Sequence, residues 1–322
     1  MPKDEKIEKK SLEDIVKKIL NIEKIISITA LTEGRANDIY EVKTENGDFI
    51  LRLMPENKNE TFEKTANAMR FVENEIYNKI IKLSEDKKIL ILDKIEGNSL
   101  QSILNKMNEK TLPKEEILSE NDIHLILSEA FQSSRMMSTK KVPKGFGHIN
   151  ENLQGWANSA MEEVFRGLTS CFSLIISKKY IDIETTKKIG NLFYNNIELF
   201  LNVEPRFVYC DLNFGNIIVE NKKFKSLIDF DFCISGDPVR MFEIVFKYTN
   251  EKYKNVLIKA MKLNAKEKVK LRLYIILSTL NTLKIYCSEY LGKNIDSKIF
   301  NEENMRYNKK FLMDLLNNKI EF

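Results

Sequence analysis

The chain is poor in the residues that build metal centres and covalent staples. Its 322 residues include four cysteines and two histidines. Cys171, Cys210, Cys233 and Cys287 form no CxxC pair, and only His124 and His148 could complete a mixed set, which argues against a structural zinc. Four reduced thiols fit a reducing compartment, and a cytoplasmic location is the expectation. The first residues, MPKDEKIEKK, hold no apolar signal core. The most apolar stretch, residues 271–291, carries Arg272, Lys284 and Glu289. Its apolar positions Leu273, Ile276, Leu277, Leu280, Leu283 and Cys287 recur at helical spacing, so a core-facing helix is expected and no membrane partner. The net charge of +4 is a small difference between 51 basic and 47 acidic residues. With no basic stripe interleaved with aromatics, nothing points to nucleic acid. No GxxxxGK[ST] phosphate loop, internal repeat or low-complexity linker occurs.

What is present is an ordinary globular composition, 43% apolar and 30% charged. Chains of this size bury roughly 75% of their unfolded surface, enough for a core without disulfides. Residues 11–21 read as an amphipathic helix capped by Ser11. Residues 39–44 and 49–54 read as strands around Glu45-Asn46-Gly47-Asp48, and Asn-Gly between apolar runs is a strong hairpin signal. A helix is expected over 65–83 and a short buried strand over 89–92. From residue 99 the pattern is mainly helical, apart from residues 209–231. The fold class expected is α+β: a small antiparallel-sheet lobe over 1–92, a connector over 93–98, and a larger helical lobe over 99–322.

Residues 209–231, YCDLNFGNIIVENKKFKSLIDFD, carry the chemistry. Ile217-Ile218-Val219 and Ser226-Leu227-Ile228 are β-prone and joined by the polar turn 220–223. A hairpin there brings Asn216 and Asp229 to one end. An amide oxygen and a carboxylate form a hard-oxygen pair suited to magnesium, which keeps phosphate oxygens and waters in its shell. Asp211 lies upstream, where a loop carboxylate can receive the proton of an acceptor hydroxyl. Phosphoryl transfer asks for little more than positioning, charge neutralisation and such a carboxylate. Singly, each residue is ordinary turn material. The ordered set around two apolar strands carries the reading.

The run resembles the catalytic segment of the aminoglycoside phosphotransferase and choline kinase family, whose form is close to HGDLHPGN, then IDWED and Gly-Asp-Pro. Here the matching stretches are YCDLNFGN, IDFDF and Gly236-Asp237-Pro238. The resemblance implies a protein-kinase-like two-lobe fold, ATP or GTP with Mg2+, and Asp211 as the catalytic carboxylate. It implies Asn216 and Asp229 as metal ligands. Two positions depart from the pattern. Tyr209-Cys210 replaces His-Gly, with the aromatic able to pack under the loop. Met241 stands where an acidic group usually braces that loop, leaving Glu243 as the candidate brace.

The same resemblance assigns the nucleotide wall. The turn over residues 31–38, with Gly34 and Asn37, would approach phosphate through backbone N–H groups. Arg52, within the apolar run Phe49-Ile50-Leu51-Arg52-Leu53, would take the place of the phosphate-binding lysine. Its helical carboxylate partner is Glu73 rather than Glu75, because Glu73 shares a face with Ile76, Tyr77 and Ile80. Backbone groups of Asp93 and Ile95 would meet the adenine edge.

Residues 145–159, GFGHINENLQGWANS, are similar to the hygromycin B phosphotransferase branch. Gly155 and Ser159 keep the pattern, while Ala160 stands at the family's tryptophan position and the chain's one tryptophan is Trp156. The likeness implies an aminoglycoside-like aminated sugar as hydroxyl acceptor, a cationic small molecule. Its site should then be lined by carboxylates, and Asp231, Glu243, Glu162 and Glu163 are the candidates, the last two reading more readily as solvated helix-face groups. His148 is a further candidate contact. Other acceptors in the family are choline, homoserine and sugars, and a nucleotide-binding pseudokinase with a regulatory role is the non-enzymatic alternative. A monomer or weak homodimer is expected.

Overall fold

The computed structural model describes residues 9–31, 38–55, 60–73, 79–289 and 302–322. It divides into two compact units, one of residues 1–117 and 215–231, the other of residues 118–214 and 232–322.

The first unit is built on a five-stranded antiparallel sheet. Its strands are β1 (Ile25–Ala30), β2 (Asp38–Thr44), β3 (Gly47–Leu53), β4 (Ile80–Leu83) and β5 (Ile89–Asp93), in the order β1-β2-β3-β5-β4. The β2–β3 hairpin closes in the expected place. Thr44 Oγ1 accepts the Asn46 N–H at 3.1 Å and donates to the Gly47 carbonyl at 2.9 Å, with Gly47 at φ +138°. Helix α1 (Lys9–Leu20) lays Leu12 and Val16 against Val42, Leu51, Leu53 and Ile91 of the sheet. Ser11, expected as its cap, lies inside the first turn, because the lysines before it extend the helix.

The helix expected over 65–83 is not continuous. Helix α2 (Glu63–Phe71) ends early, and residues 80–83 form β4, paired to β5 through Ile80 with Leu92 and Lys82 with Ile91. An edge position beside the buried β5 outweighs a helical pattern that Ile80 and Leu83 satisfy equally well.

A second, three-stranded sheet joins the connector to the candidate catalytic hairpin. β9 (Ile217–Glu220) pairs antiparallel with β10 (Lys223–Leu227) and, on its other side, with β6 (Asn98–Ser99). Asn221 and Lys222 at the hairpin tip have φ of 50° and 61°, the left-handed pair that a tight two-residue turn demands. Gly97 sits at φ +123°, and a Cβ there would lie 2.5 Å from the Val219 carbonyl oxygen, so glycine alone allows this approach. Ser99 accepts the Ser102 N–H and starts helix α3 (Leu100–Glu109).

The second unit is mainly helical. It contains α4 (Glu120–Met137), α5 (Ala160–Ser177), α6 (Ile183–Tyr194), α7 (Glu198–Leu201), α8 (Phe242–Tyr248), α9 (Glu251–Met261), α10 (Ala265–Glu289) and α11 (Glu302–Leu316). The apolar positions predicted to face a core on α10 are all buried, and α10 packs on α5 and α11. Among the described residues no helix is long and apolar enough to cross a membrane. A small sheet, β7 (Gly147–His148), β11 (Cys233–Gly236) and β8 (Arg206–Tyr209) in that order, carries the start of the catalytic run.

Candidate active site

In the first unit, the β9–β10 hairpin sets Asn216 and Asp229 at its open end. Ile217 pairs with Leu227, and the Ile228 N–H donates to the Asn216 carbonyl at 3.1 Å. Asp229 has φ +63°, a conformation uncommon outside glycine and retained where surrounding structure over-determines it. Its Oδ1 accepts the Asp231 N–H at 3.4 Å.

Arg52 reaches the same two aspartates from β3. Its guanidinium meets Asp231 Oδ2 at 2.5 Å and Asp229 Oδ1 at 3.5 Å, and stacks over the Phe62 ring at 5.2 Å. The Thr65 hydroxyl donates to Asp231 Oδ1 at 2.8 Å. Arg52 is buried in its strand, as the sequence suggested, but the carboxylates it meets are not the one expected. Glu73 is exposed beyond the end of α2. Asp231, expected as a substrate contact, instead anchors Arg52. The two aspartates and the arginine sum to one net negative charge. Asn216 and Asp229 place an amide and a carboxylate, both hard-oxygen donors, at this end of the hairpin. No group of three or more His, Cys, Asp or Glu is placed to hold a metal among the described residues.

The connector lies beside this hairpin through β6. Asp93 N–H donates to the Lys79 carbonyl and Lys94 N–H to the Asp48 carbonyl. The Lys94 ammonium joins Glu41 at 3.0 Å and Asp48 at 3.6 Å. Ile95 N–H makes no hydrogen bond among the described residues. Gly34 and Asn37 lie outside the described residues.

In the second unit, β8 delivers Asp211 at its end. Tyr209 is fully buried, and its hydroxyl donates to the Asp211 carbonyl at 3.2 Å. The aromatic that replaces histidine therefore packs under the loop and adds a hydrogen bond to it. Asn213, which sequence reasoning passed over, donates through Nδ2 to the Asp211 carboxylate at 3.0 Å and carbonyl at 3.2 Å. Its signal was spacing: an amide two residues beyond a loop aspartate can close on it. The Cys210 N–H donates to the Phe232 carbonyl, tying the loop to the β11 side.

Glu243 does not brace that loop by a direct bond, and it is not an open substrate contact. It is buried, and it accepts from Arg240 Nε at 2.6 Å while Glu163 accepts from Arg240 Nη1 at 2.5 Å. Arg240 also lies over the Tyr274 ring at 5.0 Å. Burial pushes the Glu243 carboxyl up against the pull of Arg240, and the two glutamates hold Arg240 charged. Glu163, read as a solvated group or a substrate contact, is thus a partner of a buried cation. Glu162 accepts the Asn158 N–H at the start of α5 and pairs with Arg166 at 3.1 Å. Ser159 is the cap of α5, accepting the Glu162 N–H. Burial also pushes the Cys210 thiol up, so it is no nucleophile.

His148 is exposed on β7 and meets the Phe232 ring edge-on at 4.9 Å. The loop before it is sealed by glycine. Phe146 and Ala157 exchange backbone hydrogen bonds at 2.8 and 3.0 Å, and a Cβ on Gly155 would lie 2.4 Å from the Phe146 nitrogen.

No family model and no curated protein sequence matches the chain. Solved structures do. A thermostable mutant of aminoglycoside phosphotransferase APH(4)-Ia, in a ternary complex with AMP-PNP and hygromycin B, aligns over 97% of this chain and 100% of that one, with TM-score 0.70 and 13% identity. ADP-bound APH(2'')-Ib aligns over 96% and 97%, with TM-score 0.62 and 15% identity. The streptomycin–ATP complex of APH(2'')-IIa aligns over 97% and 99%, with TM-score 0.64 and 13% identity. At these identities the likeness establishes the fold: an antiparallel-sheet unit and a helical unit, as in aminoglycoside phosphotransferase structures.

Proposed function

We propose that the protein is a small-molecule O-phosphotransferase of the aminoglycoside phosphotransferase kind, using ATP or GTP. The observation that carries this is the β9–β10 hairpin, with Asn216 and left-handed Asp229 at its open end and Arg52 locked onto Asp229 and Asp231. Asn216 and Asp229 are the residues that would hold Mg2+, which when bound offsets phosphate charge. Arg52 fixes the two aspartates and adds positive charge beside them. The Asp93 carbonyl and Ile95 N–H are the backbone groups for the adenine edge; Gly34 and Asn37, the phosphate contacts the resemblance implies, lie outside the described residues.

Asp211 receives the proton of the acceptor hydroxyl as its oxygen bonds to the γ-phosphorus and the bond to the β-phosphate oxygen breaks, releasing the nucleoside diphosphate. Tyr209 and Asn213 hold Asp211 in place for this. That support favours an enzyme over a pseudokinase at this loop. The nearest acceptor chemistry is an aminated sugar of the aminoglycoside kind, as bound in the structural neighbours. Thermal shift with Mg–ATP tests the nucleotide half. The intact protein should gain several degrees and Asp229→Ala should lose that gain; equal stabilisation of both would remove Asp229 from the site.

A further inference from the structure

Arg52 is the cation that the family resemblance would turn toward phosphate, yet its side chain is only 6% exposed. β3 pairs it with Leu90 of β5, and the buried Phe62 ring lies 5.2 Å from the guanidinium. Its two terminal nitrogens go to different carboxylates, Nη2 to Asp231 at 2.5 Å and Nη1 to Asp229 at 3.5 Å. Thr65, 3% exposed on α2, donates its hydroxyl to the other Asp231 oxygen at 2.8 Å. Asp231 is thus held at both oxygens, and its own N–H returns to Asp229 Oδ1 at 3.4 Å. All five residues belong to the first unit.

These contacts converge on Asp229. That residue keeps φ +63°, a conformation that persists where its surroundings over-determine it. A planar guanidinium fork can serve two carboxylates at once, whereas an ammonium is a single point charge. The fork also offsets the repulsion between two aspartates that stand two residues apart. A guanidinium that is buried, stacked on a ring and shared between two carboxylates has little left to offer a phosphate.

We propose that Arg52, Asp231 and Thr65 are positioning residues for the metal-ligand carboxylate of Asp229, and that Arg52 is not a phosphate ligand. This rests on the phosphotransferase reading above, which gives Asp229 to Mg2+, and it moves Arg52 from the nucleotide wall to the metal side of the site. Removing a group that orients a metal ligand typically lowers metal affinity about 10–100-fold. Removing a phosphate ligand weakens the nucleotide whether or not metal is present.

The full chain is titrated with ATP by calorimetry, once in excess EDTA and once in excess Mg2+, as the unaltered protein, Arg52→Met, Arg52→Lys and Thr65→Val. Arg52→Met should bind metal-free ATP as the unaltered protein does and lose about tenfold of the affinity that Mg2+ adds. Arg52→Lys should behave like Arg52→Met, because one ammonium does not replace the fork. Thr65→Val keeps the ion pair and should show a smaller loss of the same kind. Weakened binding of metal-free ATP by Arg52→Met, restored in Arg52→Lys, makes Arg52 a phosphate ligand and overturns the proposal. If the arginine variants do not fold, Thr65→Val carries the test, and an undiminished Mg2+ gain in it overturns the proposal. Either result leaves the phosphotransferase reading standing. An unaltered protein that binds ATP in neither buffer overturns that reading and the proposal with it.

Discussion

At the scale of single residues, the candidate catalytic loop is supported by side chains that the family pattern would not supply. The Tyr209 hydroxyl takes the Asp211 carbonyl and Asn213 takes its carboxylate. Removing the hydroxyl alone forfeits one hydrogen bond, about 1 kcal/mol. Tyr209→Phe should therefore lower kcat about fivefold with KM for ATP unchanged, as steady-state kinetics would show. Asn213→Ala should lower kcat further, since it strips a side-chain donor from both the Asp211 carboxylate and its carbonyl. Arg52→Met tests the other wall. Asp231 is a third exposed and keeps its Thr65 hydrogen bond, so losing the guanidinium should cost about 1–3 kcal/mol in urea denaturation, less than breaking a fully buried pair.

The partners of Asp231, Glu163 and Glu243 were not readable from sequence. Arg52 and Asp231 stand 179 residues apart, and Glu163 and Arg240 stand 77 apart. Nothing local marks such pairs, because tertiary packing alone creates them. The placement of Asn216 and Asp229 at one end of the β9–β10 hairpin was readable because hairpin geometry ties spacing to position.

At the scale of elements, turn chemistry carried the reading and edge strands defeated it. Asn46-Gly47 named the β2–β3 hairpin, and the polar tip named β9–β10, because few residues tolerate those dihedrals. The break between α2 and β4 was invisible, since strand pairing to β5 decides it and periodicity does not. The glycine at the connector was visible as a residue but not as a constraint. Gly97→Ala should destabilise the protein by at least ~2 kcal/mol, because both its φ and its approach to Val219 exclude a Cβ. The hairpin tip offers the opposite change. Lys222→Gly removes a left-handed lysine at φ 61° and should raise the urea midpoint by up to ~1 kcal/mol equivalent.

At the scale of the whole molecule, the helical unit carries buried charge that shapes its response to pH. Lys247 is buried, donates to Thr282 at 2.8 Å, and is pushed down to about 8 by burial, with Glu243 opposing the shift. Lys254 is pushed down to about 8 for the same reason. Unfolding returns each lysine to its ordinary value of 10.5, so the unfolded chain binds more protons between pH 8 and pH 10.5. These two groups therefore lower stability below pH 8, and that cost fades as pH rises through this window. Lys247→Met should raise the denaturation midpoint at pH 7, by an amount on the order of 3 kcal/mol at most, and flatten the rise above pH 8.

In the proposed reaction Asp211 accepts the proton of the acceptor hydroxyl. Acceptor-dependent ADP release by Asp211→Asn, screened over aminoglycosides, simple sugars, choline and homoserine beside the unaltered protein, measures that role. The unaltered protein should release ADP with one of these classes. The variant should be slower by about 10²–10⁴-fold while keeping its melting temperature and its Mg–ATP shift. A variant that turns over at the unaltered rate would contradict the assignment.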